Sequence, residues 1–195
     1  AVDIRRVLTA GARQAVRAER EVLHSLPVGF SLDAERGVRD PSGMIGDTLG
    51  VDMHVLTADA APLRNLELCV NRSHLSVERM VATPYASGLS ALVDDEAEMG
   101  AACVDMGGGT TTISIFADGK FVHAEVLPIG GGHVTMDLAR GLSTRRDYAE
   151  RLKVMHGSAL PAGDDDRDTV TVQPMGPDDG ETPLQAHLRR LREFY

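Results

Sequence analysis

The stretch from Ala101 to Phe116, AACVDMGGGTTTISIF, constrains this chain more than any other. A short apolar run ends at Asp105, glycines and threonines follow, and a second apolar run closes the stretch. Ala101 to Met106 is short and apolar, the pattern of a buried strand. Thr112 to Phe116 is β-branched and alternating, the pattern of the next strand. Asp118-Gly119 is a favoured two-residue hairpin turn, and it predicts a third strand over Lys120 to Leu127. Gly107, Gly108 and Gly109 therefore belong to a tight strand-to-strand turn and not to a linker.

Consecutive glycines in such a turn leave backbone N–H groups bare, and a row of them forms a concave site for phosphate oxygens. Thr110 and Thr111 add hydroxyl donors at the same place. Asp105 enters the same mouth. A carboxylate beside phosphate is repelled unless a cation lies between, so Asp105 reads as a partner of Mg²⁺ or of its water shell. The plainer alternative is a glycine-rich hairpin corner with no ligand.

The surrounding text is specific. Pro84-Tyr85-Ala86-Ser87-Gly88 precedes the turn. Ile129-Gly130-Gly131-Gly132-His133-Val134-Thr135-Met136-Asp137-Leu138-Ala139 and Ala149-Glu150-Arg151-Leu152-Lys153-Val154-Met155-His156-Gly157 follow it. Asp105 to Thr111 resembles the second phosphate motif of the actin, sugar-kinase and heat-shock-chaperone ATPases. The ordered set resembles the bacterial cell-division family FtsA, over roughly residues 3 to 160.

Composition bounds the alternatives. The net charge of −9 argues against nucleic acid as the main partner. With 43% hydrophobic but only 4% aromatic residues, the core must be mostly aliphatic. Cys69 and Cys103 sit in apolar runs and read as small buried hydrophobes of a reducing cytosol. No run approaches a membrane span, and no signal-peptide pattern is present. The chain opens on Ala1, so a natural start upstream is expected.

Along residues 1–80 the pattern is helix, strands, helix, strand: a small α+β module. Ile4, Val7, Leu8, Gly11, Ala12 and Ala15 stripe a helix from Asp3, its expected cap, and Arg5, Arg6, Arg13 and Arg17 fall mostly off the stripe. Those arginines mark either a partner surface or a solvated face. Glu21 to Pro27 and Val28 to Leu32 read as two strands, Asp33 to Pro41 as turns, and Met53 to Thr57 as a strand. His24 and His54 lie in strand patterns and read as satisfied structural histidines. Asp59 is placed to cap a helix striped by Leu63, Leu66 and Val70, and Leu75 to Val81 reads as a strand.

In residues 81–160, Thr83-Pro84 caps and opens a helix with Tyr85, Leu89 and Leu92 on one face. Asp94 to Glu98 reads as a solvated loop. Val134, Leu138 and Leu142 form a helix behind the second glycine triplet, whose N-terminus either favours an anion or is a plain close turn. Thr144 is the expected cap of the next helix and Gly157 its stop. Glu150 and Lys153 share one face of that helix, an ordinary ion pair without the resemblance. Residues 161–195 are acidic and turn-rich, with a short strand over Thr169 to Gln173 and a last helix through Leu184, Leu188 and Leu191.

The resemblance implies a fold of the α+β and α/β kind: a partial actin-like (ribonuclease H-like) domain plus a module resembling FtsA subdomain 1C. Residues 1–80 correspond to 1C, associated with self-association and partners, and 81–160 to the nucleotide-binding subdomain 2A. The family binds ATP with Mg²⁺, polymerises, and tethers FtsZ to the cytoplasmic face of the inner membrane at the division site, among other divisome proteins. Gly107, Gly108, Gly109, Thr110 and Thr111 match its phosphate motif, Asp105 its metal partner, and Glu150 and Lys153 its contacts to sugar and base. No catalytic residue stands out, so at most a weak ATPase is expected. The family's first phosphate loop, its adenine motif and its C-terminal membrane helix are not found in this sequence. Weak or no ATP binding by this chain alone is therefore expected. Two other readings share the glycine turn: an adaptor of type IV pilus assembly, distinguished by its partner, and a sugar-kinase-type phosphotransferase, which needs an acid or base that the sequence does not display.

Overall fold

A computed structural model describes residues 2–14, 18–160, 167–175 and 184–187. The chain divides into two compact units, residues 1–105 with 112–125, and residues 106–111 with 126–195.

The first unit begins with helix α1 (Val2–Gln14), followed by strands β1 (Arg20–Leu32), β2 (Glu35–Val38) and β3 (Leu49–Asp59). The strands form an antiparallel sheet in the order β2-β1-β3. Asp3 sits inside the first turn of α1 and is not its cap. There it complements the helix dipole. Gly11 brings α1 onto β3: a Cβ at that position would lie 3.0 Å from Met53 Cγ. β1 is one long strand and not the two that the sequence predicts. Its register against β3 shifts between Pro27 and Gly29. A bulge is where a strand tolerates proline, because the missing N–H interrupts no regular ladder. β2 occupies the stretch read as turns, and Asp33, with φ of 55°, reverses the chain into it. The turn-rich reading holds at its end, where Asp40 Oδ1 accepts from the Ser42 amide at 2.9 Å.

Helix α2 (Ala60–Asn71) follows Asp59, which holds the N-cap position without capping through its side chain. Its carboxylate instead accepts from Arg20 Nη1 at 2.6 Å. Leu63 and Val70 are half-buried, but Leu66 is 60% exposed and Cys69 is exposed too, so the stripe is only partly covered. The buried-thiol reading fails for Cys69, and Cys103 is only half-buried. Leu75 to Val81 is not a strand. The chain is anchored there by a side chain instead of a ladder: the Ala82 amide donates to His24 Nε2 at 2.9 Å.

Helix α3 (Thr83–Ala91) has Ala82 at its N-cap and Pro84 in its first turn. It buries Pro84 and Gly88, while Leu89 faces out. The acidic run predicted as a loop is helix α4 (Asp94–Met99). Three carboxylates in its first turn favour its dipole, and Glu96 Oε2 accepts from the Val93 amide at 3.1 Å. Strands β4 (Ala101–Met106), β5 (Thr111–Ala117) and β6 (Lys120–Leu127) form a second sheet in that order. Connections this short make neighbouring strands antiparallel. Asp118 and Gly119 both have positive φ, 51° and 71°, as the predicted hairpin requires. β4 is an edge strand whose residues alternate between half-buried and exposed, so it is less enclosed than its composition predicts. The buried residues sit on β5 and β6: Thr112, Ser114, Phe116 and Phe121.

The second unit holds helices α5 (Gly131–Gly141) and α6 (Arg146–His156) and an antiparallel pair, β7 (Thr169–Val172) with β8 (Leu184–His187). Its core is aliphatic, as predicted: Leu138, Leu142, Ala149 and Leu152 from the helices meet Val170, Val172 and Ala186 from the strands. Arg145, and not Thr144, takes the N-cap position of α6. Thr144 is fully buried and donates its hydroxyl to the Gln173 carbonyl. Gly157 ends α6 as predicted. Leu184 begins strand β8, where a helix was predicted, because β7 supplies a pairing edge. Leu188 and Leu191 lie outside the described residues.

Candidate functional site

The glycine turn between β4 and β5 is closed by one backbone hydrogen bond, from the Gly107 amide to the Thr110 carbonyl at 2.8 Å. Among the described residues the Gly108 and Gly109 amides make no backbone hydrogen bond. Space beside both is open: a Cβ on either would meet nothing within 4 Å. Two bare donors beside open space are an arrangement able to receive an anion.

The second glycine triplet supports this turn from behind. The Gly131 amide donates to the Gly107 carbonyl at 3.0 Å, and the Gly132 amide to the Gly108 carbonyl at 2.7 Å. A Cβ on Gly130 would lie 2.8 Å from the backbone of Gly108, so only glycine permits this approach. Carbonyls thus satisfy the first amides of α5. Of the two readings open for this helix start, close approach is the one the fold uses, and the available donors belong to Gly108 and Gly109.

Thr110 is exposed beside them. Thr111 donates its hydroxyl to the Ile129 carbonyl at 2.7 Å, which ties the turn to the strand-to-helix connection. In the first unit, Asp105 is half-buried and its Oδ2 accepts from Ser87 Oγ at 2.6 Å. Ser87 fixes that carboxylate and was missed as a site residue, although it lies in the motif Pro84–Gly88. Among the described residues no group of three His, Cys, Asp or Glu side chains is placed to hold a metal. Mg²⁺ needs fewer from the protein, typically one or two carboxylates with water and substrate phosphates.

Glu150 and Lys153 are brought together on α6, with Lys153 Nζ 2.7 Å from Glu150 Oε2. Sequence reasoning missed the residue that joins them. Thr135, on α5 and 1% exposed, has two acceptors within reach of its single hydroxyl proton, Glu150 Oε2 and the Gly131 carbonyl, and accepts from Lys153 Nζ at 2.8 Å. Lys153 also donates to the Gly131 carbonyl at 3.1 Å. An ammonium has three protons. Here they meet Glu150, Thr135 and Gly131. Hydrogen bonds from Lys153 first, then from Thr135, hold the Glu150 carboxyl below the usual carboxylate range. The signal for Thr135 was its place four residues after Gly131, where a threonine hydroxyl bonds back along its helix.

Two family models match the sequence: "Cell division protein FtsA" over residues 102–190, and "SHS2 domain inserted in FTSA" over residues 1–57. The FtsA protein of Rhizobium meliloti is 67% identical over 181 residues, 93% of this chain and 41% of that relative. The chain belongs to the FtsA family of cell-division proteins. FtsA of Agrobacterium fabrum is 63% identical over 95% of the chain and 42% of its own length. FtsA of Escherichia coli is 32% identical over 98% and 45%. The chain therefore spans about two fifths of the length of these two FtsA relatives from Rhizobium meliloti and Agrobacterium fabrum. Among solved structures, MreB 5 of Spiroplasma citri bound to AMPPNP superposes with a TM-score of 0.51 at 18% identity, over 70% of this chain and 41% of that one. The PilM-PilN type IV pilus biogenesis complex gives 0.58 at 18%, over 80% and 44%. These likenesses establish the fold as a partial actin-like domain. Among the described residues of this FtsA-family chain no helix is long and apolar enough to cross a membrane.

Proposed function

We propose that this chain is the central part of an ATP-binding, actin-like adaptor that polymerises and tethers FtsZ filaments to the cytoplasmic face of the inner membrane at the division site. Its relatives are cell-division proteins of the FtsA family. The observation that carries the nucleotide half of this reading is the open pair of Gly108 and Gly109 amides, joined through Gly131 to Glu150 by one hydrogen-bonded network. In this reading the amides and the Thr110 hydroxyl hold phosphate oxygens, Asp105 orients the water shell of Mg²⁺, and Glu150 accepts from a sugar hydroxyl. Bound Mg-ATP supplies the free energy that favours the assembly-competent state, and it does so only to the extent that it binds that state more tightly. Slow or absent hydrolysis is compatible with this role.

The test uses the intact gene product, co-sedimented with lipid vesicles and FtsZ filaments, with and without Mg-ATP, beside an Asp105→Ala variant. The expected result is ATP-dependent recruitment of FtsZ to vesicles, weakened by the substitution. Vesicle binding without FtsZ recruitment overturns the tether. Recruitment that ignores both ATP and Asp105 overturns the nucleotide half.

A further inference from the structure

We infer that Thr135 is the positioning residue of the nucleotide site: its hydroxyl sets the Glu150 carboxylate and, with Lys153, ties that carboxylate to the glycine cradle. This rests on the nucleotide reading above. Lys153 then acts as a brace and not as a direct ligand.

Three observations carry the inference. Thr135 is almost completely buried, yet its hydroxyl faces two acceptors, the Gly131 carbonyl and Glu150 Oε2. The Gly131 bond would satisfy a buried threonine without any help from α6. The further contact to a carboxylate on another helix needs a different account. Next, Lys153 donates to the Gly131 carbonyl, to Thr135 and to Glu150 Oε2, so the cation is held against one of the two carboxylate oxygens. Among the described residues Oε1 accepts no hydrogen bond, and Glu150 is 48% exposed. One oxygen is fixed and the other offered, the arrangement that orients an acceptor toward a ligand hydroxyl. Finally, the network continues: Gly131 accepts from Lys153 through its carbonyl and donates from its amide to Gly107. Displacing Thr135 therefore perturbs Glu150 and the support of the phosphate turn together.

A purely structural threonine predicts that filling its space is enough. A positioning threonine predicts that the hydroxyl is required. The test is calorimetric binding of Mg-ATP and of Mg-2′-deoxy-ATP to the intact gene product carrying Thr135→Val or Thr135→Ser. Val keeps the shape and removes the hydroxyl, whereas Ser keeps the hydroxyl. The expected result is rescue by Ser, within about twofold of the unsubstituted protein. Val should lose on the order of tenfold in ATP affinity, the size expected when a charge-assisted hydrogen bond no longer orients a ligand-binding group. It should lose less for the deoxynucleotide if Glu150 receives the sugar. A second readout needs no ligand: amide exchange at Gly131 and Gly132 should rise in the Val variant and not in the Ser variant. Equal affinity of Val and the unsubstituted protein overturns the inference, as does an equal loss with Ser. If the Val variant fails to fold, Thr135→Ala, which also removes the hydroxyl, carries the same comparison against Ser. Failure of the unsubstituted protein to bind ATP overturns the nucleotide reading itself, an outcome separate from any difference among the variants.

Discussion

Gly88 shows how one missing atom can hold a unit together. A Cβ added there would come within 2.5 Å of Phe116 Cζ, and Phe116 is 3% exposed with its ring centroid 5.4 Å from that of Phe121. Alanine would gain up to ~1 kcal/mol of helix propensity over glycine. Overpacking a filled core costs about 1–3 kcal/mol, so the clash wins. Gly88→Ala should lower the urea midpoint of the intact gene product by a corresponding amount, and an unchanged or raised midpoint would count against this packing. The same aromatic cluster carries two histidines. The His24 ring lies 4.7 Å from Tyr85 and the His54 ring 4.8 Å from Phe121. Burial, then the Arg79 charge, lowers the pKa of His24; burial, then His123 and His24, lowers that of His54. Both take up protons more readily when unfolded, so their contribution is intact above the ordinary value of 6.5 and is lost as pH falls through the lowered folded values. Urea midpoints measured at about pH 7.5 and about pH 5.5 should drop between the two, and a His24→Gln/His54→Leu variant should drop less. Glu150 adds a second loss of the same sign below 4.5. The satisfied-histidine reading holds for His24, which accepts from Ala82, but not for His54, whose buried Nε2 makes no hydrogen bond among the described residues. Periodicity identifies the strand, but it cannot supply the partner of a ring atom.

At the scale of elements, what was legible followed local chemistry. The β5–β6 hairpin is written in Asp118-Gly119, and the end of α6 in Gly157. What escaped was decided by partners distant in the chain. β2 forms because β1 offers an edge, β8 because β7 does, and the run from Leu75 finds no such edge. Thr144 is the clearest case. Its hydroxyl is a good cap in local terms, yet it reaches Gln173, and Tyr148 OH reaches the Thr171 carbonyl at 2.8 Å, so α6 is joined to β7 at two points. Thr144→Val keeps the shape and removes the hydrogen bond of a buried hydroxyl, a cost of about 0.5–1.5 kcal/mol. Chemical denaturation should register it as a lower midpoint with an unchanged slope. A loss below about 0.5 kcal/mol, the range of ordinary surface substitutions, would refute the role. The candidate site divides the same way. The glycines and the Glu-x-x-Lys pair were legible because their spacing is short. Ser87 and Thr135 were not, because their meaning comes from carboxylates 18 and 15 residues away.

The whole molecule combines the glycine turn and the Glu150 carboxylate, proposed above to receive a nucleotide, with about two fifths of the length of its relatives. Positioning a nucleotide takes groups on more than one side of it, since affinity depends on preorganised complementarity and not on contacts from a single surface. This chain alone should therefore bind Mg-ATP only weakly, and a micromolar dissociation constant from calorimetry would refute that. The division into units has a consequence for anyone who wishes to take the protein apart. Residues 106–111 group with the second unit, although the residues on either side of them, 101–105 and 112–125, group with the first. The polypeptide changes unit after residues 105, 111 and 125. No single scission yields either half whole: a cut before the glycines strips β5 and β6 from the first unit, and a cut after β6 removes the turn from the second. A dissection that respects the division has to splice the chain, joining residue 105 to residue 112 in the first unit and residue 111 to residue 126 in the second, because cyclic reordering leaves the segments alternating.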